Sequence, residues 1–307
     1  MTFYFINAIL YPQKEIELTF AAFCLLAAQK YQTLLTGEEM YPYELIEGTG
    51  IDLYVIAIIV GIVSAFVTLR ILSDKVKLSD KVFNFVLVTS VVTIILGWLS
   101  AMLFQGFYNY LAEGVFVIRG QTFYGGLIGG AVVFILFYFG VGHFVFKDKA
   151  NIRQFNELAT IAAPSIVGAH AFGRIGCLMG GCCYGAITDK WYGIMMYSGG
   201  VWAKRVPTQL FESLFLFALA AVLVFLIIKF KNRNALSIYL VAYGVWRFII
   251  EFVRADSERG SSGIPGLYPS QVTAIILVIV GVGWYFLYRF VLKDRMEKAG
   301  ANEEKHV

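Results

Sequence analysis

"NFVLVTSVVTIILGWLSAMLFQGF" occupies residues 84–107 and contains no Asp, Glu, Lys or Arg. Lipid offers no water to a polar backbone, so a chain crosses it as a helix of ~20 mostly apolar residues that satisfies its own hydrogen bonds. Six more stretches of this kind lie at about 51–70, 122–146, 158–179, 208–229, 236–253 and 270–291. The whole chain is 59% hydrophobic and 15% charged, with a mean hydropathy of +0.71, which excludes an ordinary soluble domain. The expected fold is all-α: a polytopic integral membrane protein with about seven transmembrane helices. One membrane domain covers 51–292, with no repeat and no second domain. An N-terminal segment, 1–50, precedes it and a basic tail, 293–307, follows.

The basic residues orient the spans. Arg70, Lys75, Lys77 and Lys81 fall between spans one and two, and Lys147, Lys149 and Arg153 between three and four. Lys229, Lys231 and Arg233 fall between five and six, and Arg289, Lys293, Arg295 and Lys298 follow span seven. With alternating spans all four groups share one side, which the positive-inside rule makes cytoplasmic. The N-terminus is then outside and the C-terminus inside. The less basic segments 108–121, 180–207 and 254–269 face outward, and the expected location is the cytoplasmic membrane of a cell. The net charge of +4 follows from this topology and implies no nucleic-acid partner.

The first 50 residues carry one short apolar run, 18–28, flanked by Glu15, Glu17, Gln29 and Lys30. Without a basic region at the start, a cleaved signal peptide is not expected. An amphipathic helix in the outer interface is the expectation; an eighth span, which would move the N-terminus inside, is its rival.

Charges inside apolar spans mark the candidate site. Arg174, Glu212, Arg247 and Glu251 each lie in or at the edge of a span. A charge at mid-membrane costs ~2.5–3.5 kcal/mol on insertion scales, so such residues read as buried functional groups. Tyr243, Arg247, Glu251 and Arg254 recur at helical intervals on one face of span six, and His170 and Arg174 are one turn apart on span four. Glu212 follows Pro207, a residue suited to opening a helix. Arginines gathered near one leaflet suit a phosphate head group, because guanidinium meets phosphate oxygens in bidentate fashion. The plainer reading makes Arg174–Glu212 and Arg247–Glu251 packing ion pairs without a ligand.

Glycines accompany these charges. "FYGGLIGG" (123–130) opens span three, and "GRIGCLMGGCCYG" (173–185) ends span four. Small residues permit close helix approach and let backbone N–H groups face a ligand. Packing alone is an equal reading for Gly129 and Gly130. Gly180, Gly181 and Gly185 are expected in a non-helical loop lining the site.

These blocks, with "RVPTQLFES" (205–213), "YGVWRFIIEFVR" (243–254) and "YPSQVTAI" (268–275), resemble the prolipoprotein diacylglyceryl transferase family in order from about residue 51 to 282. The resemblance implies a membrane enzyme that moves a diacylglyceryl group from phosphatidylglycerol to the lipobox cysteine of a prolipoprotein. It implies a head-group site from Arg174, Gly185, Glu212, Arg247 and Glu251, to which Gly125, Gly126, Cys177, Cys182, Tyr243 and Arg254 are added as lining residues. Several positions depart from the family pattern. Tyr124 stands where histidine is usual, Cys177 where asparagine is, Cys182 where glutamate is, and Trp98 where an arginine is expected. The lipid-binding frame is kept while polar groups of the reaction centre are changed.

In the family reaction a thiolate attacks the glycerol carbon that bears the phosphate, and glycerol phosphate leaves. That requires thiol deprotonation, neutralisation of the leaving phosphate and alignment of both substrates. Arg174 and Arg247 are the candidate phosphate clamp, Tyr124 a hydrogen-bond donor and His170 the candidate base. A histidine on an apolar helix is also commonly a hydrogen-bonded structural group.

Cys177, Cys182 and Cys183 leave three readings. With His170 they offer zinc ligands, though C-x4-C-C is not a usual spacing. An oxidising outer face permits a disulfide. The preferred reading is small, weakly polar residues lining the lipid cavity, while Cys24 stands apart as packing. No cofactor or metal is expected. The expected partners are anionic phospholipid, a prolipoprotein or other thiol acceptor, and the bilayer. A related transferase with another acceptor, or a non-catalytic lipid-binding or redox protein using the cysteines, is the alternative.

Overall fold

The computed structural model describes residues 52–118, 122–198, 201–255 and 264–292. The expectations for residues 1–50, for Cys24 and for the tail 293–307 lie outside the described residues. The helices are α1 (Leu53–Val76), α2 (Asp80–Glu113), α3 (Phe123–Ile135), α4 (Gly142–Val145), α5 (Ala150–Arg153) and α6 (Phe155–Met179), followed by α7 (Thr208–Phe230), α8 (Ala235–Ile250) and α9 (Pro269–Leu287). Strands β1 (Ile194–Ser198) and β2 (Val201–Arg205) lie between α6 and α7. A π-helical segment, Leu136–Val141, joins α3 to α4.

Among the described residues seven helices are long and apolar enough to cross a membrane, the α3–α4 stretch counting as one. They match the seven expected spans. The first two run further than hydropathy indicated. Arg70 and Lys75 sit on the last turns of α1 and Asp80 and Lys81 on the first turn of α2, because helical geometry continues where the side chains turn polar. Sequence also marks several ends. Gly114 closes α2 in the left-handed region, its N–H bonded to the Tyr110 carbonyl. Pro207 caps α7, and Pro269 opens α9 while the Gln271 side chain accepts the Tyr268 N–H.

The described chain divides into two compact units. The unit formed by 69–161 and 290–292 holds the whole of α2, α3, α4 and α5, with the end of α1 and the start of α6. Its helices α2 and α3 approach through glycines: a Cβ on Gly125 would stand 2.6 Å from Phe104, and one on Gly129 2.0 Å from the Ser100 hydroxyl. Packing accounts for Gly129, as the plainer reading had it. Tyr138, buried on the π-helical segment, donates to the Asn151 carbonyl while Asn151 Nδ2 donates back to the Tyr138 carbonyl.

The other unit, 52–68 and 162–289, holds most of α6 together with β1, β2, α7, α8 and α9. Helix α6 is the most buried of the seven spans. This explains how the least apolar span is the one that carries His170 and Arg174. Ser213 on α7 donates to the Ala171 carbonyl on α6, and the Phe215 and Trp246 rings stack between α7 and α8. Gly244 allows α8 to meet α9, since a Cβ there would lie 2.8 Å from the Ala274 carbonyl.

The segment after α6 is not a plain loop. β1 and β2 pair antiparallel, with Ile194 opposite Arg205 and Ser198 opposite Val201. Residues 184–188 run extended beside them. Gly185 and Thr188 donate to the carbonyls of Val206 and Lys204, and Val206 donates to Ala186. On its other side Ala186 donates to Val253, and Ala255 to Tyr184. The strand-like segment thus ties β2 to the end of α8. Leu178, Ile194 and Met196 form a small core beneath it, with Tyr184 and Leu210 packed against them.

Candidate active site

The site builds from the ends of three helices of one unit. Arg174 lies on the last two turns of α6, Glu212 on the second turn of α7, and Tyr243 and Arg247 on α8, with Glu251 in the 3-10 turn that continues it. Arg174 Nε lies 3.2 Å from Glu212 Oε2, and the Tyr243 hydroxyl donates to Glu212 Oε1 at 2.8 Å. Arg247 Nη1 meets Glu251 Oε2 at 2.8 Å, and Arg254 Nε approaches the same oxygen at 3.9 Å. Both carboxylates are buried, the Glu251 side chain completely. Glu212 lies in the field of Arg247 as well as Arg174, so the two pairs act as one electrostatic group.

Such pairs carry no automatic stability gain, because removing two charges from water cancels much of their attraction. They do fix geometry. Each guanidinium offers five N–H donors, and a bidentate pair with one carboxylate uses two of them. Arg174 and Arg247 are thus held in place with donor capacity left for a further oxygen anion.

His170 packs edge-on against Tyr243, ring centroids 4.9 Å apart, within the field of Arg174, Glu212 and Arg247. It belongs with the charged cluster and is not grouped with the cysteines. The three thiols gather without it: the Sγ atoms of Cys177, Cys182 and Cys183 all lie within 4.8 Å of one another. All three are free and half-buried, and Arg174 Nη1 lies 4.0 Å from Cys177 Sγ. Thiol hydrogen bonds from Cys177 and then Cys182 hold the Cys183 thiol well below its ordinary range. Hydrogen bonding to Cys177 and Cys183, together with burial, pushes Cys182 up.

The turn that presents these thiols is tightly built. Gly181 has φ +58°, in the left-handed region, and a Cβ there would meet the Tyr197 carbonyl at 2.6 Å. A Cβ on Gly185 would stand 2.6 Å from the Val206 carbonyl, so glycine is required where 184–188 pairs with β2. Gly180, Gly181 and Gly185 are non-helical, as expected.

Tyr124, Gly125 and Gly126 belong to the other unit, on the first turn of α3. Gly125 packs against Phe104 and Ala101, and Gly126 donates its N–H to Thr122.

Two residues of this region escaped sequence reasoning. Arg205, at the end of β2, is 8% exposed and stacks its guanidinium on the Tyr184 ring at 4.4 Å. Its Nε has no hydrogen-bond partner among the described residues. Gln209 is buried on α7; its Nε2 donates to the Cys182 carbonyl at 2.6 Å, while its Oε1 lacks a partner among the described residues. The available signal was a basic and an amide residue flanking Pro207, within two residues on each side.

Fold and site together define a multi-pass membrane protein with a buried arginine–carboxylate cluster at one end of its helices. The profile of the prolipoprotein diacylglyceryl transferase family matches residues 43–287. The chain belongs to this family of membrane transferases. It is 35% identical over 226 residues to phosphatidylglycerol-prolipoprotein diacylglyceryl transferase 2 of Clostridium perfringens, covering 71% of this chain and 82% of that one. It is 32% identical to phosphatidylglycerol-prolipoprotein diacylglyceryl transferase of Clostridium tetani, over 56% of this chain and 66% of that one. It is also 32% identical to the protein of that name from Ectopseudomonas mendocina, over 68% and 76%.

Proposed function

We propose that the protein transfers a diacylglyceryl group from phosphatidylglycerol to the lipobox cysteine of a prolipoprotein, at the outer leaflet of the cytoplasmic membrane. The observation that supports this best is the pair Arg174 and Arg247, from two helices, each oriented by its own buried carboxylate. That arrangement suits one phosphate group approached from the lipid. The reading also rests on the names of the relatives and on the lysine and arginine pattern, which puts the N-terminus outside and the C-terminus in the cytoplasm.

In this reading the acceptor sulfur forms a bond to the glycerol carbon bearing the phosphate. The carbon–oxygen bond to that phosphate breaks, and glycerol phosphate leaves with the electron pair. Arg174 and Arg247 hold the phosphate oxygens and take up the charge that develops on them. Glu212, Tyr243, Glu251 and Arg254 keep the two guanidiniums in position. His170 accepts the thiol proton. Cys177, Cys182 and Gly185 line the lipid. The membrane domain spans 51–292, between an outer interfacial segment and a basic cytoplasmic tail.

The test is release of glycerol phosphate by the purified full chain in nanodiscs. Release should require both phosphatidylglycerol and a lipobox peptide, and should fail when phosphatidylethanolamine replaces phosphatidylglycerol. Release at equal rates from both lipids, or without peptide, would contradict the assignment.

A further inference from the structure

We propose that Cys177, Cys182 and Cys183 form a binding site for a soft, thiophilic metal ion of the zinc and cadmium class. The inference goes beyond lipid transfer and does not depend on it.

The first support is distance. Three thiolates around one such ion, each ~2.3 Å from it, stand roughly 3.8–4.0 Å from one another. The three Sγ atoms already lie within 4.8 Å of each other, so closure requires only small side-chain movement. A second support is how firmly the backbone holds them. Cys177 lies on the last turn of α6, and the Cys182 N–H bonds back to its carbonyl at 3.2 Å. Gln209 Nε2 holds the Cys182 carbonyl and the Thr208 hydroxyl holds the Cys183 carbonyl, at 2.6 and 2.8 Å. Cys183 itself sits at φ +60°, a conformation non-glycine residues seldom adopt, and its Sγ stands with the other two. The thiols are gathered before any ligand arrives.

Charge favours the same occupant. Three thiolates and one divalent ion leave a single net negative charge, and the Arg174 guanidinium stands 4.0 Å from Cys177 Sγ to meet it. The sulfur-only donor set selects zinc and cadmium over magnesium and calcium, which require oxygen ligands. All three cysteines are half-buried, so an ion can reach them and a water can complete four-coordination.

The experiment is a Cd2+ titration of the reduced, chelator-stripped full chain in detergent, followed by sulfur-to-cadmium charge-transfer absorption. Alkylation of the three cysteine peptides is then mapped by mass with and without metal. One Cd2+ per chain is expected, with a charge-transfer band and loss of alkylation at Cys177, Cys182 and Cys183 together. Zn2+ should compete with Cd2+ and Mg2+ should not. Replacing any one cysteine by serine should weaken Cd2+ binding by roughly a hundredfold or more, since outer-shell changes alone cost 10–100-fold in metal sites. Absence of the band, or binding that leaves the three thiols open to alkylation, would overturn the site. So would equal competition by Mg2+. The wild-type protection measurement needs no variant and stands even where a serine variant fails to fold.

Discussion

Arg174 Nε and Glu212 Oε2 face each other at 3.2 Å between α6 and α7, with the Tyr243 hydroxyl on the carboxylate's other oxygen. The pair joins the segment that carries the thiol turn to the helix that follows the β-hairpin. It has two separable roles: it balances a buried carboxylate, and under the proposed function it presents a guanidinium to phosphate.

Those roles separate by mutation. Arg174→Ala should abolish transfer and also destabilise the protein by about 3–5 kcal/mol, because Glu212 stays buried without its cation. Adding Glu212→Gln should recover most of the thermal stability and none of the transfer. Thermal unfolding in detergent and a lipid-transfer assay on the same samples give both readings. Recovered transfer in the double variant would show that Arg174 serves packing alone.

Arg247 permits a gentler change. Arg247→Lys keeps a cation beside Glu251 but loses the planar fork. Transfer should fall about tenfold or more while the unfolding temperature stays close to wild type. An unchanged rate would mean that Arg247 touches no phosphate.

Two glycines give opposite forecasts. Gly185→Ala forces a Cβ to 2.6 Å from the Val206 carbonyl, which should destabilise the protein by about 1–3 kcal/mol and spread the pairing of 184–188 with β2. Gly168, inside α6, has nothing within 4 Å of an added Cβ, so Gly168→Ala should be neutral or stabilising by up to about 1 kcal/mol. Unfolding midpoints of the two variants, compared with wild type, check both signs. Equal tolerance at the two positions would contradict the strand pairing.

Topology is tested by fusion. A reporter after Lys231 should read as cytoplasmic, and one placed within residues 186–193 should read as external. A reversed result at either point would undo the orientation and the access to exported precursors that depends on it.

Much of this was legible in the sequence, for a local reason. Helix length and apolarity are properties of consecutive residues, so the seven spans could be read directly. The facing of Tyr243, Arg247 and Glu251 followed from helical spacing along α8 and its continuation. What escaped depends on distant partners. Residues 184–188 pair with both 204–206 and 253–255, and nothing local marks them as a strand. Arg205 and Gln209 gain significance only from Tyr184 and Cys182, which the folded chain brings beside them. The gathering of three thiols without His170 likewise depends on the turn at Gly181, which spacing alone does not convey.

Under the proposed function the protein joins a diacylglyceryl group to a lipobox thiol. The most direct test is the mass of a synthetic lipobox peptide after incubation with purified wild-type protein and phosphatidylglycerol. The expected product is a peptide heavier by one diacylglyceryl group, linked as a thioether at its cysteine, with no such product from Arg174→Ala. A folded wild-type protein that binds phosphatidylglycerol and leaves the peptide mass unchanged would contradict this function.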